Sequence, residues 1–236
     1  MKKMHKEVGV ALSGLVIVGS MAMAMVPAQA YDREAAGYAA SHFLDVSQLP
    51  KEFASAKTID IGVTMPSTKQ FVCDYGTTGN KEVRAGKPEL NATAFYERKG
   101  RSLSLGVDVW QYKSNEAAEK TFRQLTKNIK KCDGTFSGSW PDENGNPVPY
   151  ENLITSGNIP AVTVTGVQSV FTNQNSDNAA SGDVPSYLSD SMSIFTLVND
   201  VIITTTGSTW SALNLTAKQK AALIQVANDM VTTWVD

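Results

Sequence analysis

Two runs of alternating residues flank Lys99-Gly100-Arg101, and together they dictate a β-hairpin. From Ala92 to Arg98, the residues Ala92, Ala94 and Tyr96 share one face. From Ser102 to Tyr112, Leu103, Leu105, Val107 and Val109 share one face, while Trp110 and Tyr112 take the other. Strands joined by so short a turn are antiparallel. The same logic predicts a hairpin at Asn199-Asp200, between Ser191–Val198 and Val201–Thr206, and suits Asn144-Gly145 to a tight turn after a strand over Gly134–Trp140. Further strand patterns lie at Thr58–Val63, Phe71–Tyr75 and Ala161–Phe171. The polar stretches Gly76–Glu89 and Asn173–Ser186 are expected to be loops.

Three helices are expected. Asp32–Leu44 carries an alanine-rich stripe. Ser114 caps a second helix, whose apolar residues Ala118, Phe122, Leu125, Ile129 and Cys132 recur every three or four positions. Leu215–Val235 forms the last, capped by Thr216, with Leu223, Ala227, Met230 and Trp234 facing inward. The fold class expected is α+β, an antiparallel sheet with helices packed mainly on one face.

Residues 1–30 have the pattern of a secretory signal peptide. Lys2, Lys3 and Lys6 precede an apolar stretch from Val8 to Val26, and Ala28-Gln29-Ala30 is an A-x-A cleavage site. A retained anchor is the rival reading, because the apolar stretch is near the lower length for spanning a bilayer. Polar Tyr31-Asp32-Arg33-Glu34 favours cleavage, leaving no stable membrane insertion. Residues 31–236 are then expected to form a single domain, secreted or held in the cell envelope. Without the leader, 18 basic and 22 acidic residues remain, a net charge of −4. That balance offers no electrostatic attraction to nucleic acid.

Both cysteines, Cys73 and Cys132, follow the leader. An even count in an exported chain reads as a disulfide, and closing so long a loop is worth about 3–4 kcal/mol. Two buried free thiols are the alternative. Two distant cysteines do not make a metal site.

The chemistry available is narrow. His42 is the one histidine after the leader, and it reads as a helix residue at the edge of the core. No nucleophile elbow, zinc motif or phosphate loop is present, so no catalytic residue, metal or cofactor is expected. Asp142-Glu143-Asn144-Gly145-Asn146 lacks calcium-loop spacing and reads as a turn. Asp108, beside Trp110, suggests either a carboxylate in a sugar-stacking cleft or an outward-facing strand residue. Trp110, Trp140, Trp210 and Trp234 line a cleft on the first reading and belong to the core on the second.

The stretch from Val109 to Phe122 (VWQYKSNEAAEKTF), followed by Cys132-Asp133-Gly134, resembles the PknH-like extracellular sensor domain family. Ile194 to Ile203 (IFTLVNDVII) and the helix after it are similar to that family's closing hairpin and helix, and Ala39–Pro50 to its early helix. The resemblance implies an exported actinobacterial domain, an α/β sandwich with a cleft, non-enzymatic, that senses or binds a component of the envelope. One cysteine pair stands where the kinase's own domain has two. The expected function is a sensor-like or ligand-binding domain whose partner is a small molecule or a cell-envelope component. An envelope hydrolase using carboxylates is the alternative. A third reading is a protein-interaction module presenting the loop Asn173–Pro185.

Overall fold

The computed structural model describes residues 38, 41–53, 58–64, 70–73, 83–97, 103–141, 144–159, 169–178, 187–209 and 214–235. Ten strands are described: β1 (Thr58–Thr64), β2 (Gln70–Cys73), β3 (Val83–Ala85), β4 (Leu90–Glu97), β5 (Leu103–Gln111), β6 (Gly134–Pro141), β7 (Pro147–Asn158), β8 (Ser169–Asn178), β9 (Tyr187–Val198) and β10 (Val201–Thr209). Two helices join them, α1 (Asn115–Asn128) and α2 (Ala217–Val235). Eight strands make one sheet in the order β1-β4-β5-β10-β9-β8-β7-β6, and every pairing in it is antiparallel. Strands β2 and β3 form a separate ribbon.

The hairpins close as the sequence implies. Ala92, Ala94 and Tyr96 of β4 are buried with Leu105, Val107 and Val109 of β5, while Trp110 and Tyr112 join a different cluster. Asn199 adopts a left-handed φ of 51°, and Gly145, with φ 84°, occupies the turn between β6 and β7. A short polar residue or glycine accepts that conformation most readily.

Both helices start as their residues predict. The Ser114 hydroxyl accepts from the Ala117 N–H at 3.2 Å. Thr216 and Gln219 form a reciprocal cap, with distances of 3.2 and 2.8 Å. Helix α1 runs into a short 3-10 turn, Ile129–Cys132, and its whole expected stripe is buried.

Three expectations need revision. The helices do not gather on one face. Leu223, Val226 and Met230 of α2 pack with Val201 and Ile203 of β10, whereas Phe122 and Leu125 of α1 pack with Ile202. Alternate β10 residues point to opposite faces, so α1 and α2 lie on opposite sides of the sheet. Asn173–Asn178 is not loop but the second half of β8, hydrogen-bonded between β7 and β9. Val83–Ala85, within the expected loop Gly76–Glu89, is a strand. The strand expected over Ala161–Phe171 starts at Ser169 where described, and residues 161–168 lie outside the described residues. The leader and most of Asp32–Leu44 also lie outside them, although Tyr38 and Ser41 are helical.

Close approaches fix the covers in place. A Cβ on Gly207 would meet Leu223 Cδ1 at 3.3 Å, so α2 sits almost on the β10 backbone. On the other side, β3 packs against α1, and a Cβ on Gly86 would lie 3.0 Å from Thr121 Oγ1.

Truncating each cover tests the two-sided arrangement. Phe122→Ala should cost about 3–5 kcal/mol and Leu223→Ala about 2–5 kcal/mol in denaturant unfolding. The double variant should equal their sum within about 0.5 kcal/mol, because the sheet separates the sites. Strong coupling would place both residues in one core.

Candidate functional site

The α1 face of the sheet divides into an apolar part and a polar part. Trp110, Ile202, Phe195, Leu197 and Val170 lie under α1. Moving along the strands, the cross-strand rows turn polar. Thr93, Asp108 and Thr204 stand opposite one another on β4, β5 and β10. The next row on this face holds Gly106, Thr206, Ser193 and Thr172, and the one after it Ser104, Ser208, Ser191 and Gln174. A belt of hydroxyls and amides therefore crosses the middle of the sheet.

Several of its members are deeply set, while Thr93, Asp108 and Ser191 are half-buried. Ser104, Ser193, Thr206 and Ser208 are all under 9% exposed, and Thr204 is 0% exposed. The Ser193 and Thr206 hydroxyls pair at 2.9 Å, and either can donate. Thr93 donates to Asp108 Oδ1 at 2.8 Å. Thr204 Oγ1 and Asn91 Oδ1 are buried without a hydrogen-bond partner. A buried polar atom left unpaired costs roughly 1–3 kcal/mol, so such atoms mark places where the chain alone leaves bonding capacity unused.

Asp108 is a half-buried carboxylate of this belt, with Glu97 placed by register opposite Ser104, and it is not beside an open indole. Trp110 is 0% exposed and packs against Phe195 with centroids 6.1 Å apart, so it belongs to the core and offers no sugar-stacking surface. Burial lifts the Asp108 carboxyl from 3.8 to about 6, against the opposing hydrogen bond from Thr93. Trp234, on the buried face of α2, is likewise core. The side chains of Trp140 and Trp210 lie outside the described residues.

His42 is remote from the belt. It sits on the α2 side, 4.6 Å from the Trp234 ring, with Nδ1 2.8 Å from the Tyr38 carbonyl. With the sheet in between, it cannot serve as base for a belt serine. Asp190 is also on the α2 side, where it accepts from the Leu215 N–H at 2.8 Å and anchors the start of α2. Among the described residues no cluster suits a metal ion. No described helix is long and apolar enough to cross a membrane.

Cys132 is fully buried at the end of the turn after α1, and no described cysteine is free. Cys73 closes β2, and its side chain lies outside the described residues. The backbone brings the two segments close, since β3, the partner of β2, packs on α1 and on the turn that ends at Cys132.

No family model matches the chain, and no curated protein matches it. Among solved structures, it is similar to the extracellular domain of PknH from Mycobacterium tuberculosis, with a TM-score of 0.48 and 10% identity. The match covers 82% of this chain and 92% of that one. That similarity assigns no residue and no ligand here.

Thr93 and Thr204 carry no signal in the sequence, because their meaning comes from standing opposite Asp108 across two other strands. Asp108 itself makes a pH prediction. The folded chain keeps the proton up to about pH 6, whereas the unfolded chain releases it near pH 4, so stability falls as pH rises between them. Asp108→Asn should remove that slope and stabilise the protein at neutral pH by about 1–3 kcal/mol in urea unfolding. An identical pH dependence in both proteins would contradict the placement.

Proposed function

We propose that the chain is an exported, non-enzymatic, sensor-like or ligand-binding domain of the bacterial cell envelope, and that its ligand occupies the polar belt. The observation that carries this reading is the row Thr93–Asp108–Thr204. There a buried hydroxyl without a partner adjoins a half-buried carboxylate in the middle of a sheet face. The same row continues into the apolar Phe195 and Val170, so its polar half is not needed to cover the sheet. The leader pattern supports export, and the resemblance of residues 109–122 and 194–203 to an extracellular sensor family supports the class.

We further propose that Cys73 and Cys132 form one disulfide, which ties the β2–β3 ribbon to the end of α1. This pairing supports the compartment reading, because such a bridge persists outside the cytoplasm.

The hydrolase alternative is weaker. Glycosidase chemistry needs two carboxylates facing one bond, and two such groups would perturb each other's ionisation. Among the described residues, burial raises the proton affinity of Asp108 and the Thr93 hydrogen bond lowers it. The interaction-module reading loses half of its exposed loop, since Asn173–Asn178 is strand.

The test uses the chain as secreted by an expressing cell. Intact mass should correspond to a start at Tyr31 and to one disulfide, two hydrogens below the reduced mass. Cell-wall fractions should raise the thermal midpoint and shift belt amides in NMR spectra while remaining chemically unchanged. Turnover of a wall substrate that disappears in Asp108→Asn would overturn the non-enzymatic reading. Absence of any belt shift would overturn the ligand site.

A further inference from the structure

The outer face of α1 carries a charge opposite to that of the chain as a whole. Ala118, Phe122, Leu125 and Ile129 form its buried stripe, and helical spacing places Lys120, Arg123, Gln124 and Lys127 on the other side. The 3-10 turn continues that line with Lys130 and Lys131. All six side chains are exposed. After Glu119, no acidic residue interrupts the segment until Asp133. Arg123 donates to Glu119 Oε2 at 3.2 Å, but both groups are more than half exposed, so the pair is weak. Among the described residues, none of the four lysines is ion-paired.

Residues 115–132 hold five of the 18 basic and two of the 22 acidic residues that follow the leader. That segment is therefore +3, while the remainder of residues 31–236 is −7. The helix dipole favours cations in the last turn and has little effect beyond it. Lys120 and Arg123 stand more than a turn from that end, so the dipole does not account for them.

We propose that this face docks an acidic polysaccharide, a linear chain with one carboxylate per sugar, laid along α1 from Lys120 to Lys131. The inference does not depend on the belt, because it concerns the opposite, outer side of the helix. The cations form a line about 17 Å long, with close to one per turn of about 5.4 Å, so evenly spaced anions meet each in succession. Lysines are flexible point charges and impose no fixed geometry on those anions. Gln124, exposed between Lys120 and Lys127, offers an amide that both donates and accepts, as sugar hydroxyls do.

A bilayer surface fits this face less well. Helices that lie on membranes dip an apolar face among the headgroups, whereas that of α1 is buried on the sheet. Tyr38, the first described residue, has its ring 5.9 Å from that of Trp234. The chain thus enters the domain on the α2 side, away from the basic face.

The experiment titrates the secreted protein by calorimetry with three probes, while NMR amide shifts locate each contact. The probes are polygalacturonate oligomers, neutral glucan oligomers of equal length, and vesicles containing phosphatidylglycerol. Polygalacturonate should bind at low salt, shift the amides of residues 119–131, and be released at high salt. Lys120→Gln with Lys127→Gln should weaken binding about tenfold and flatten its salt dependence. Lys51→Gln with Lys218→Gln removes the same charge at exposed positions off this helix. That control should change affinity by less than about twofold. All four substitutions are at exposed positions and should leave the thermal midpoint unchanged.

Equal losses in the two double variants would reduce the effect to net charge and overturn the inference. So would failure of polygalacturonate to bind, equal binding of the neutral glucan, tighter binding of the vesicles, or shifts at the belt instead of α1. The salt response and shift map of the unaltered protein keep the test decisive if a variant fails to fold. Contacts at α1 and at the belt are read separately, so loss of this inference leaves the belt reading intact.

Discussion

Everything in this fold depends on β10 being buried on both faces. It is hydrogen-bonded between β5 and β9, and all nine of its residues are buried. Such a strand cannot leave either side to water, so the sheet needs two covers. Helix α2 supplies one, close enough for Leu223 to press on Gly207. Helix α1 supplies the other, through Phe122 and Leu125. The side-chain alternation of β5, β9 and β10 then assigns every neighbouring residue to one cover or the other.

The two covers are unequal, and the inequality creates the site. Helix α2 has nineteen residues and buries seven of them. Helix α1 has fourteen, a length of about 21 Å, while eight strands span about 34 Å from first to last. Where α1 lies, the sheet is apolar. In the row that Phe195 shares with Thr204, and in the next, the strands carry Thr93, Asp108, Thr204, Thr206 and Ser193, and the face becomes hydrogen-bonding while staying largely buried. His42 and Asp190 stay on the α2 side, with structural partners of their own. The division leaves the belt with hydroxyls, amides and the Asp108 carboxyl, whose proton affinity burial raises.

Much of the framework is legible in the residues. Alternation over Ala92–Tyr112 specifies both strands of the first hairpin and the split between Val109 and Trp110. Helical spacing from Ala118 to Cys132, and from Leu223 to Trp234, identifies the buried stripes. The two-sided placement of the helices was also encoded, in Val201-Ile202-Ile203. A strand with no polar alternation is one buried on both faces, and the helix stripes alone do not carry that information. Asn173–Asn178 had no such signal. Its strand comes from pairing with β7 and β9, which overrides residues of low β-propensity. The belt was illegible for the related reason that Thr93, Asp108 and Thr204 lie on three strands, and only register brings them together.

Amide hydrogen exchange in the native protein, resolved residue by residue, tests the doubly covered strand most directly. The slowest amides should belong to β10 and its two partners, around Val107, Ile194, Ile202 and Ile203, and should exchange only through global unfolding. Edge strands β1 and β6 should open locally and exchange earlier. Rapid exchange in β10 while α1 and α2 remain protected would contradict the account, because neither cover could then be held in place by that strand.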